Sequence, residues 1–362
     1  MLVSRSPWAG RRVLVTGHTG FKGGWLSLWL NALGAEVAGF SLPPATEPNF
    51  FDQTHLRDLV AHREGDVRDL ESVRTAVRDV RPEVVFHLAA QPLVRLSYDQ
   101  PVETYATNVM GTVHLLEACR DAPDLQAVVC VTSDKCYENR ESTTPYRESD
   151  QMGGHDPYSS SKGASEIVVS AYRRSFFQTG PRIASVRAGN VIGGGDWADD
   201  RLIPDIVRAL LAGERPQIRN PNSIRPWQHV LDALSGYLLV AERLLEGRDD
   251  VACGWNFGPS DEDAQPVSWI VEKMLAEWGS DLAWQRPEGS QPHEAILLKL
   301  DCSKARNELG WRPKLRLGDA LRNVVEWHKQ VDGGADPRAV SLRQLAKYEG
   351  WNDSVIGQAR AA

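Results

Sequence analysis

The sequence predicts an α/β protein built on a doubly wound parallel sheet, with a smaller mixed α/β lobe towards the C-terminus. Two observations predict this fold. Short apolar, β-branched runs alternate with longer segments of helical periodicity from Arg12 to about Val186. The first of these runs leads directly into a glycine-rich turn and then into a helical pattern. Sheets of this design bind ligands at the carboxyl ends of their strands, so the candidate site residues are sought there.

Composition narrows the class of protein. A chain of 362 residues can bury a large core, and a net charge of -7 gives no basic surface for nucleic acid or anionic membranes. The five cysteines are odd in number and scattered, which favours reduced thiols in the cytoplasm. No apolar run reaches the roughly 18 residues of a membrane helix. We therefore expect a small-molecule substrate, with no nucleic acid or membrane partner.

The first strand, Arg12 to Thr16, runs into Gly17-His18-Thr19-Gly20-Phe21-Lys22-Gly23 and then into a helix closed by Gly34. Glycines permit a tight turn and close backbone approach, and the helix amino end supplies free N–H groups. The order of elements predicts a phosphate cradle; the alternative is an ordinary turn that needs positive φ angles. The candidate cofactor residues here are Gly17, Thr19, Gly20, Phe21 and Lys22.

The second strand, Glu36 to Phe40, ends at Ser41-Leu42. An acidic residue at this place typically binds the ribose of NAD, and an arginine favours NADP. The chain has neither, so this position does not settle which cofactor binds. Asp66-Val67 follows a further short strand and is a candidate for the adenine edge; Asp66 as the N-cap of a helix starting near Leu70 is the alternative.

The strand beginning at Val84 ends in Leu88, Ala89 and Ala90, followed by Gln91. Small residues at a strand end let a flat ring or a pyrophosphate approach the backbone, although core packing explains them equally well. Gln91 is a candidate for substrate contact. Asn108, in a helix predicted from about Pro101 to Arg120, is a candidate for supporting the cofactor site through hydrogen bonds.

The stretch from Thr132 to Lys162 contains the residues best suited to catalysis. Thr132, Ser133, Asp134 and Lys135 follow the buried strand Ala127 to Val131, while Tyr158 and Lys162 are one turn apart at the start of a long helix. A neighbouring ammonium favours the phenolate, so we expect the Tyr158 hydroxyl to lose its proton near neutral pH.

Composition shifts after Arg187-Ala188-Gly189-Asn190, where a second lobe is predicted to begin. We expect a cofactor domain over 1–188, rejoined by about 226–258, and a substrate lobe over 189–225 and 259–362. Within these later parts we predict a helix from Arg201 to Leu211, a strand from Pro216 to Arg219 and a helix through Leu245. Further segments are 254–257, 267–278 and 294–299, then helices at 302–309 and 317–330 before a polar tail.

Three spaced patterns together resemble the extended short-chain dehydrogenase/reductase family: Gly17-x-x-Gly20-x-x-Gly23, Tyr158-x-x-x-Lys162 and Arg187-x-x-Asn190. Within it the chain is most similar to the sugar-nucleotide 4,6-dehydratases, and there to the branch that acts on CDP-glucose. The resemblance implies a Rossmann fold, NAD, a nucleoside-diphosphate hexose as substrate and a 4-keto-6-deoxy sugar as product. It also implies a homodimer or homotetramer assembled through helices near 101–120 and 158–178.

The resemblance implies roles for the central residues. Tyr158 takes the proton from the sugar O4, Lys162 lowers the tyrosine pKa and holds the nicotinamide ribose, and Ser133 hydrogen-bonds O4. Asp134, protonated through burial, is the acid for the departing C6 hydroxyl. Lys135 stands where many relatives carry a glutamate base, so either it acts while neutral or another group removes the C5 proton.

Several alternatives stay open at this point. Asp134 and Lys135 could form a solvated ion pair, and the chain could be a sugar-nucleotide 4-epimerase, a dehydratase for another hexose or a non-catalytic NAD sensor.

Arg225 is the best candidate anchor for the diphosphate because a guanidinium binds two oxygens. Trp227, like Trp197, either stacks on the base or packs the lobe. The supporting substrate candidates are Asn190, Asp196, Trp197, Arg201, Arg219 and His293. No residue cluster has metal-ligand spacing, and we predict no metal.

Overall fold

The computed structural model describes residues 6–140, 143–287 and 298–351. His293 and most of the segment predicted over 294–299 lie outside these residues, as does the tail after Trp351.

The larger part of the protein is a seven-stranded parallel sheet in the order β3-β2-β1-β4-β5-β6-β9. This order places a switch point between β1 and β4, where chain connections run to opposite sides, and it confirms the predicted doubly wound fold. The strands are β1 (Arg12–Thr16), β2 (Glu36–Ser41), β3 (Ala61–Glu64), β4 (Val84–His87), β5 (Ala127–Val131), β6 (Arg182–Ala188) and β9 (Gly254–Phe257).

Both faces of this sheet are covered, which explains why its central strands are apolar without alternation. In β5, Val129 packs into the hydrophobic core on one face, while Val128 and Cys130 pack into the core on the other. The covering helices are α1 (Phe21–Ala32), α3 (Leu70–Val80), α5 (Pro101–Tyr105), α6 (Gly111–Cys119), α7 (Pro157–Ser175) and α9 (Val230–Leu245), with the short α2 (Phe50–Gln53) and α4 (Val94–Asp99) beside them. The residues predicted at the site follow the carboxyl ends of the strands, which the helices on the two faces do not cover.

The predicted helix from Pro101 to Arg120 is a continuous helix with a wider turn at its centre. Helix α5 passes into a π-helical turn at Ala106–Met110 and then into α6. Asn108 lies in that turn and is 2% exposed. Such turns are common where a helix must present a residue to a functional site.

The smaller lobe has a three-stranded sheet in the order β10-β8-β7. Its strands are β7 (Asn190–Ile192), β8 (Ile224–His229) and β10 (Ala264–Pro266), and its helices are α8 (Leu202–Leu211), α10 (Val267–Trp278), α11 (Leu317–Asp332) and α12 (Pro337–Glu349). Strand β8 leads directly into α9, so the lobe is tied to the large sheet by one continuous segment.

One prediction about this lobe was wrong. Pro216 to Arg219 is not a strand: Gln217 forms a single isolated bridge to Gln285. The polar tail contains α12, whose apolar residues face inward, with Leu345 fully buried. Its N-terminus is capped by Asp336, which accepts from the backbone N–H groups of Arg338 and Ala339.

Candidate active site

In the turn between β1 and α1, close backbone packing requires glycine at Gly17 and Gly23 but not at Gly20. A side chain on Gly17 (φ +75°) would lie 2.6 Å from the backbone nitrogen of Ala89, and one on Gly23 would lie 2.1 Å from the carbonyl oxygen of Gly17. Around Gly20 the nearest atom is at 3.4 Å, an ordinary van der Waals distance. Gly20 therefore leaves open space at the amino end of α1, as a cradle for a phosphate group requires.

The end of β2 presents hydroxyl groups in place of an acid. Thr19 Oγ1 lies 2.8 Å from Ser41 Oγ, and it donates to the carbonyl of Leu42 at 2.9 Å. Asp66 is not the N-cap of α3, because Asp69 caps that helix and Asp66 pairs with Arg68. This ion pair lowers the pKa of Asp66, mainly through its hydrogen bond with Arg68. The N-cap alternative for Asp66 was therefore wrong.

The residues after β4 are held by Asn108. Its Oδ1 accepts from the backbone N–H of Gln91 at 2.9 Å, and its Nδ2 donates to the Gln91 carbonyl at 3.1 Å and to Ser161 Oγ at 2.8 Å. The Gln91 side chain bonds to Leu93 and Thr104. Gln91 thus serves internal contacts, while Asn108 ties the β4 loop, next to Leu88, Ala89 and Ala90, to the first turn of α7.

Ser133 and Asp134 form a buried unit at the end of β5. Ser133 Oγ donates to Asp134 Oδ1 at 3.0 Å and accepts from the Lys135 backbone N–H at 3.3 Å. Asp134 is 6% exposed, and burial raises the pKa of its carboxyl, while Lys135, Ser133 and Arg225 act to lower it. The raised pKa is the direction that a proton donor needs, and the burial of Asp134 contradicts the alternative of a solvated ion pair.

Tyr158 and Lys162 lie in the first turns of α7, whose N-terminus is fixed by Asp156 accepting from the Ser159 N–H at 2.8 Å. Burial raises the pKa of Tyr158 to about 12, although a hydrogen bond with Ser133 and the charge of Arg201 act to lower it. Burial also lowers the pKa of Lys162 to about 8. In the protein alone desolvation outweighs the nearby positive charge, so ionisation of Tyr158 near neutral pH stays a prediction for the occupied site.

A buried ion pair below these residues was not predicted from the sequence. Glu166, one turn beyond Lys162, accepts from Arg187 at 2.8 Å, from Ser185 Oγ at 2.6 Å and from Thr132 Oγ1. Both members of the pair have side chains no more than 5% exposed. The signal was available in the sequence: a glutamate on the buried face of α7 and an arginine inside an apolar strand each need a partner.

Lys22 from the glycine turn extends towards the same residues. Burial lowers the pKa of Lys22 to about 7, and the charges of Lys162 and Arg201 lower it further while those of Asp134 and Asp196 oppose them. The predicted cofactor turn and the predicted catalytic residues therefore share one electrostatic environment.

Several of the predicted substrate residues are held by contacts within the protein. Arg201 pairs with Asp196 at 3.3 Å, and Asn190 Nδ2 donates to the Pro226 carbonyl at 3.4 Å. Arg225 is close enough to Asp134 for its charge to act on that carboxyl. Trp197 donates from Nε1 to Gln53 at 2.8 Å and stacks edge-on with His328, which favours the packing interpretation.

Within the described ranges, no three histidine, cysteine or acidic side chains are grouped as metal ligands would be. The helices described there are also too short or too polar to cross a membrane.

Comparison with known proteins gives consistent results. Residues 14–324 match a family model described as GDP-mannose 4,6 dehydratase. The chain is 54% identical over 353 residues to the CDP-glucose 4,6-dehydratase of Salmonella typhimurium, covering 96% of this chain and 98% of that protein. It resembles the structure of a dTDP-glucose 4,6-dehydratase from Streptomyces venezuelae with NAD bound (TM-score 0.75, 25% identity, 90% and 99% of the chains). A UDP-glucose 4-epimerase from Thermotoga maritima shares the fold (TM-score 0.77, 22% identity, 88% and 99%).

Proposed function

Because the chain belongs to the GDP-mannose 4,6-dehydratase family of extended short-chain dehydrogenases/reductases, we propose that it converts CDP-D-glucose to CDP-4-keto-6-deoxy-D-glucose and water. The observation that carries this proposal is the 54% identity, over nearly the whole chain, to a CDP-glucose 4,6-dehydratase. The arrangement of Ser133, Asp134, Tyr158 and Lys162 supports it, since the reaction needs a base at O4 and an acid at C6.

The cofactor proposed for the site is NAD, which relatives of this fold bind. The open side of Gly20 and the amino end of α1 support a pyrophosphate there, and Lys162 is proposed to hold the nicotinamide ribose. Asp66 and Val67 are proposed at the adenine edge. Bound there, NAD would supply the hydride acceptor for C4 and the hydride donor for C6, with the group that takes the C5 proton returning it to C5, and its positive ring would favour the Tyr158 phenolate.

The first step is oxidation at C4. Tyr158, as phenolate, takes the proton from O4, while the Ser133 hydroxyl hydrogen-bonds that oxygen. Lys162 holds a positive charge that stabilises the phenolate before it takes this proton. Glu166 supports this role because its negative charge raises the Lys162 pKa against the effect of burial.

The second step is loss of water across C5 and C6. The C4 ketone acidifies the C5–H, the electron pair of that bond forms the C5–C6 double bond, and the C6 hydroxyl leaves as water after taking a proton from Asp134. Lys135 follows Asp134 in the same 3₁₀ turn, Asp134–Cys136, and Lys22 extends to the same cleft. A lysine can accept the C5 proton only when neutral, and the lowered pKa of Lys22 makes it the second candidate beside Lys135.

The proposed function is tested with CDP-, UDP-, dTDP- and GDP-glucose supplied side by side. A 4-keto sugar develops an absorbing chromophore in alkali, and we expect it with CDP-glucose at the highest kcat/KM. Formation of CDP-galactose without this chromophore would establish an epimerase instead. The buried Asp134 argues against that outcome, because epimerisation has no leaving hydroxyl to protonate.

Replacing Gly20 with valine should weaken NAD binding roughly tenfold or more while leaving the fold intact. The Gly20 backbone (φ −80°, ψ 165°) is extended, which valine adopts readily, so the new side chain occupies only the open cradle. Titration calorimetry with NAD and thermal melting measure the two effects. Gly318→Ala, where the nearest side-chain atom lies 3.9 Å from the new methyl group, is the control. Unchanged NAD affinity in Gly20→Val would show that the pyrophosphate does not lie there.

The proposed assembly is a homodimer or homotetramer that uses the helices around α5, α6 and α7. Large apolar side chains project from these helices: Val102 is 81% exposed, Ile167 61% and Met110 46%. Clustered exposed side chains of this kind mark protein interfaces. We expect Ile167→Asp to lower the molecular mass measured by light scattering to that of a monomer, whereas Trp269→Gln, on α10, leaves it unchanged. A monomeric wild-type protein would contradict the assembly.

The protein is proposed to act in the cytoplasm. All five cysteines are free thiols in the structure, although Cys119 and Cys130 lie buried in the same core.

A further inference from the structure

Asp200 lies between two arginines that come from different parts of the fold. Arg95 belongs to α4, which follows the carboxyl end of β4, and Arg219 belongs to the loop between α8 and β8. Both guanidinium groups donate to the same carboxylate oxygen, Asp200 Oδ1, at 3.0 and 3.1 Å. Oδ2 of Asp200 makes no hydrogen bond to any residue that the structure describes. Asp200 Oδ2 therefore remains as a hydrogen-bond acceptor next to the guanidinium N–H groups of the two arginines.

Stability does not account for this arrangement. Asp200 has a left-handed backbone (φ +56°), which is unfavourable for a residue other than glycine. The three side chains are 30–41% exposed, and ion pairs at such exposure contribute little to folding. Helix α8 also begins without a side-chain cap from its preceding residue, Arg201. A strained residue held by two arginines at a cleft is better explained by binding than by folding.

The position of the group points to one end of the substrate. Arg201 is the next residue along the chain and is close enough to Tyr158 and Lys22 for its charge to act on both. Asp200 therefore follows directly on the candidate site, and its two hydrogen bonds join α4 of the large domain to the loop before β8. A nucleoside-diphosphate hexose is an extended molecule, and with its hexose at Tyr158 its nucleoside can reach this junction between the lobes.

We propose that Asp200 and Arg219, steadied by Arg95, bind the hydrogen-bonding edge of the cytosine base and select a cytidine nucleotide. This inference rests on the proposed CDP-glucose substrate. Cytosine presents an exocyclic amine beside two acceptors, its ring nitrogen and its O2. Asp200 Oδ2 accepts from the amine, and the Arg219 guanidinium donates to the acceptors.

The same pair disfavours the other pyrimidines. Uracil and thymine carry a carbonyl oxygen where cytosine carries the amine, so a carboxylate there faces a second acceptor instead of a donor. A site built to bond a particular donor rejects an analogue that lacks it more strongly than an apolar pocket can. The selectivity thus comes from one repulsive contact as well as from one attractive contact.

Asp200→Asn tests the proposal sharply. Asparagine tolerates the left-handed backbone, and the two arginines will hold its amide oxygen, which turns the amide N–H₂ towards the base. The acceptor becomes a donor, so kcat/KM and affinity for CDP-glucose should fall roughly 10- to 100-fold relative to UDP-glucose. Asp199→Asn is the matched control. The Asp199 side chain is 81% exposed, and its nearest ion-pair partner, Arg208, is at the long distance of 3.7 Å.

Two measurements make the outcome decisive. Calorimetric titration with CDP and with UDP follows base recognition without turnover, and the alkaline chromophore follows the reaction. A fall in the CDP-to-UDP affinity ratio in Asp200→Asn, with unchanged melting temperature and no change in Asp199→Asn, supports the proposal. Equal losses with both nucleotides, or no change in the ratio, overturns it. Wild-type protein that binds CDP selectively but forms no 4-keto sugar would refute the proposed function and leave the base-binding site standing.

Discussion

Replacing Tyr158 with phenylalanine is expected to lower turnover of CDP-glucose by about 10²- to 10⁴-fold while NAD and nucleotide binding persist. The variant removes only the hydroxyl oxygen that takes the O4 proton, and the ring keeps its place in the buried start of α7. Because oxidation at C4 precedes the elimination, every later step is lost with it. Rates of 4-keto sugar formation, together with calorimetric titration of NAD and CDP, measure the effect.

A second tyrosine on the same helix provides the control. Tyr172 lies further along α7 and donates to Glu117 at 3.2 Å, away from the cleft. Tyr172→Phe should keep wild-type turnover. The role of Tyr158 would be refuted if its phenylalanine variant turned over within a few-fold of the wild type. The pH profile gives a further check: the base must be ionised, and burial raises the Tyr158 pKa, so wild-type kcat/KM should rise with pH through neutrality.

Local pattern was enough to predict the large sheet. Five of the first six strands carry a short apolar run, the exception being β3 (Ala61–Glu64), and the crossovers carry a helical period or a recognisable turn, so local preference and global fold agree. The same consistency placed Ser133 and Asp134 at a strand end and Tyr158 and Lys162 on one helix. These residues are close in sequence to the elements that position them, which is why their placement could be predicted.

Contacts between distant segments could not be predicted in this way. Arg95 and Asp200 are 105 residues apart, and nothing in the local sequence of either one names the other. For Glu166 and Arg187 the sequence gives a partial signal. Each is a charged residue in an apolar pattern, which indicates that it has a partner but does not identify that partner. The burial of Tyr158 could not be predicted for a related reason: the spacing of Tyr158 and Lys162 indicates that they are neighbours, but it does not show that burial raises the tyrosine pKa.

Asp134→Asn is expected to slow water loss by about 10²- to 10⁴-fold and yet leave C4 oxidation possible. The amide keeps the size of the carboxyl group and can still accept from Ser133, so the geometry at O4 is preserved. It has no proton to give to the departing C6 hydroxyl. With CDP-glucose, the reduced cofactor should therefore accumulate, visible by its near-ultraviolet absorbance, while the alkaline chromophore forms slowly.

The same substitution should not destabilise the protein, which separates a chemical role for Asp134 from a structural one. Burial raises the Asp134 pKa, so the folded state disfavours the carboxylate at neutral pH, and a neutral amide of equal size removes that cost. We therefore expect a melting temperature equal to or above that of the wild type. This is the result expected if Asp134 is kept for catalysis although its burial lowers the stability of the folded protein. Asp150→Asn is the control for activity, because Asp150 lies in an exposed turn where its carboxylate accepts from the Arg147 backbone N–H at 2.8 Å. Unimpaired elimination in Asp134→Asn would remove this residue from the mechanism, and a large fall in melting temperature would assign it to the fold.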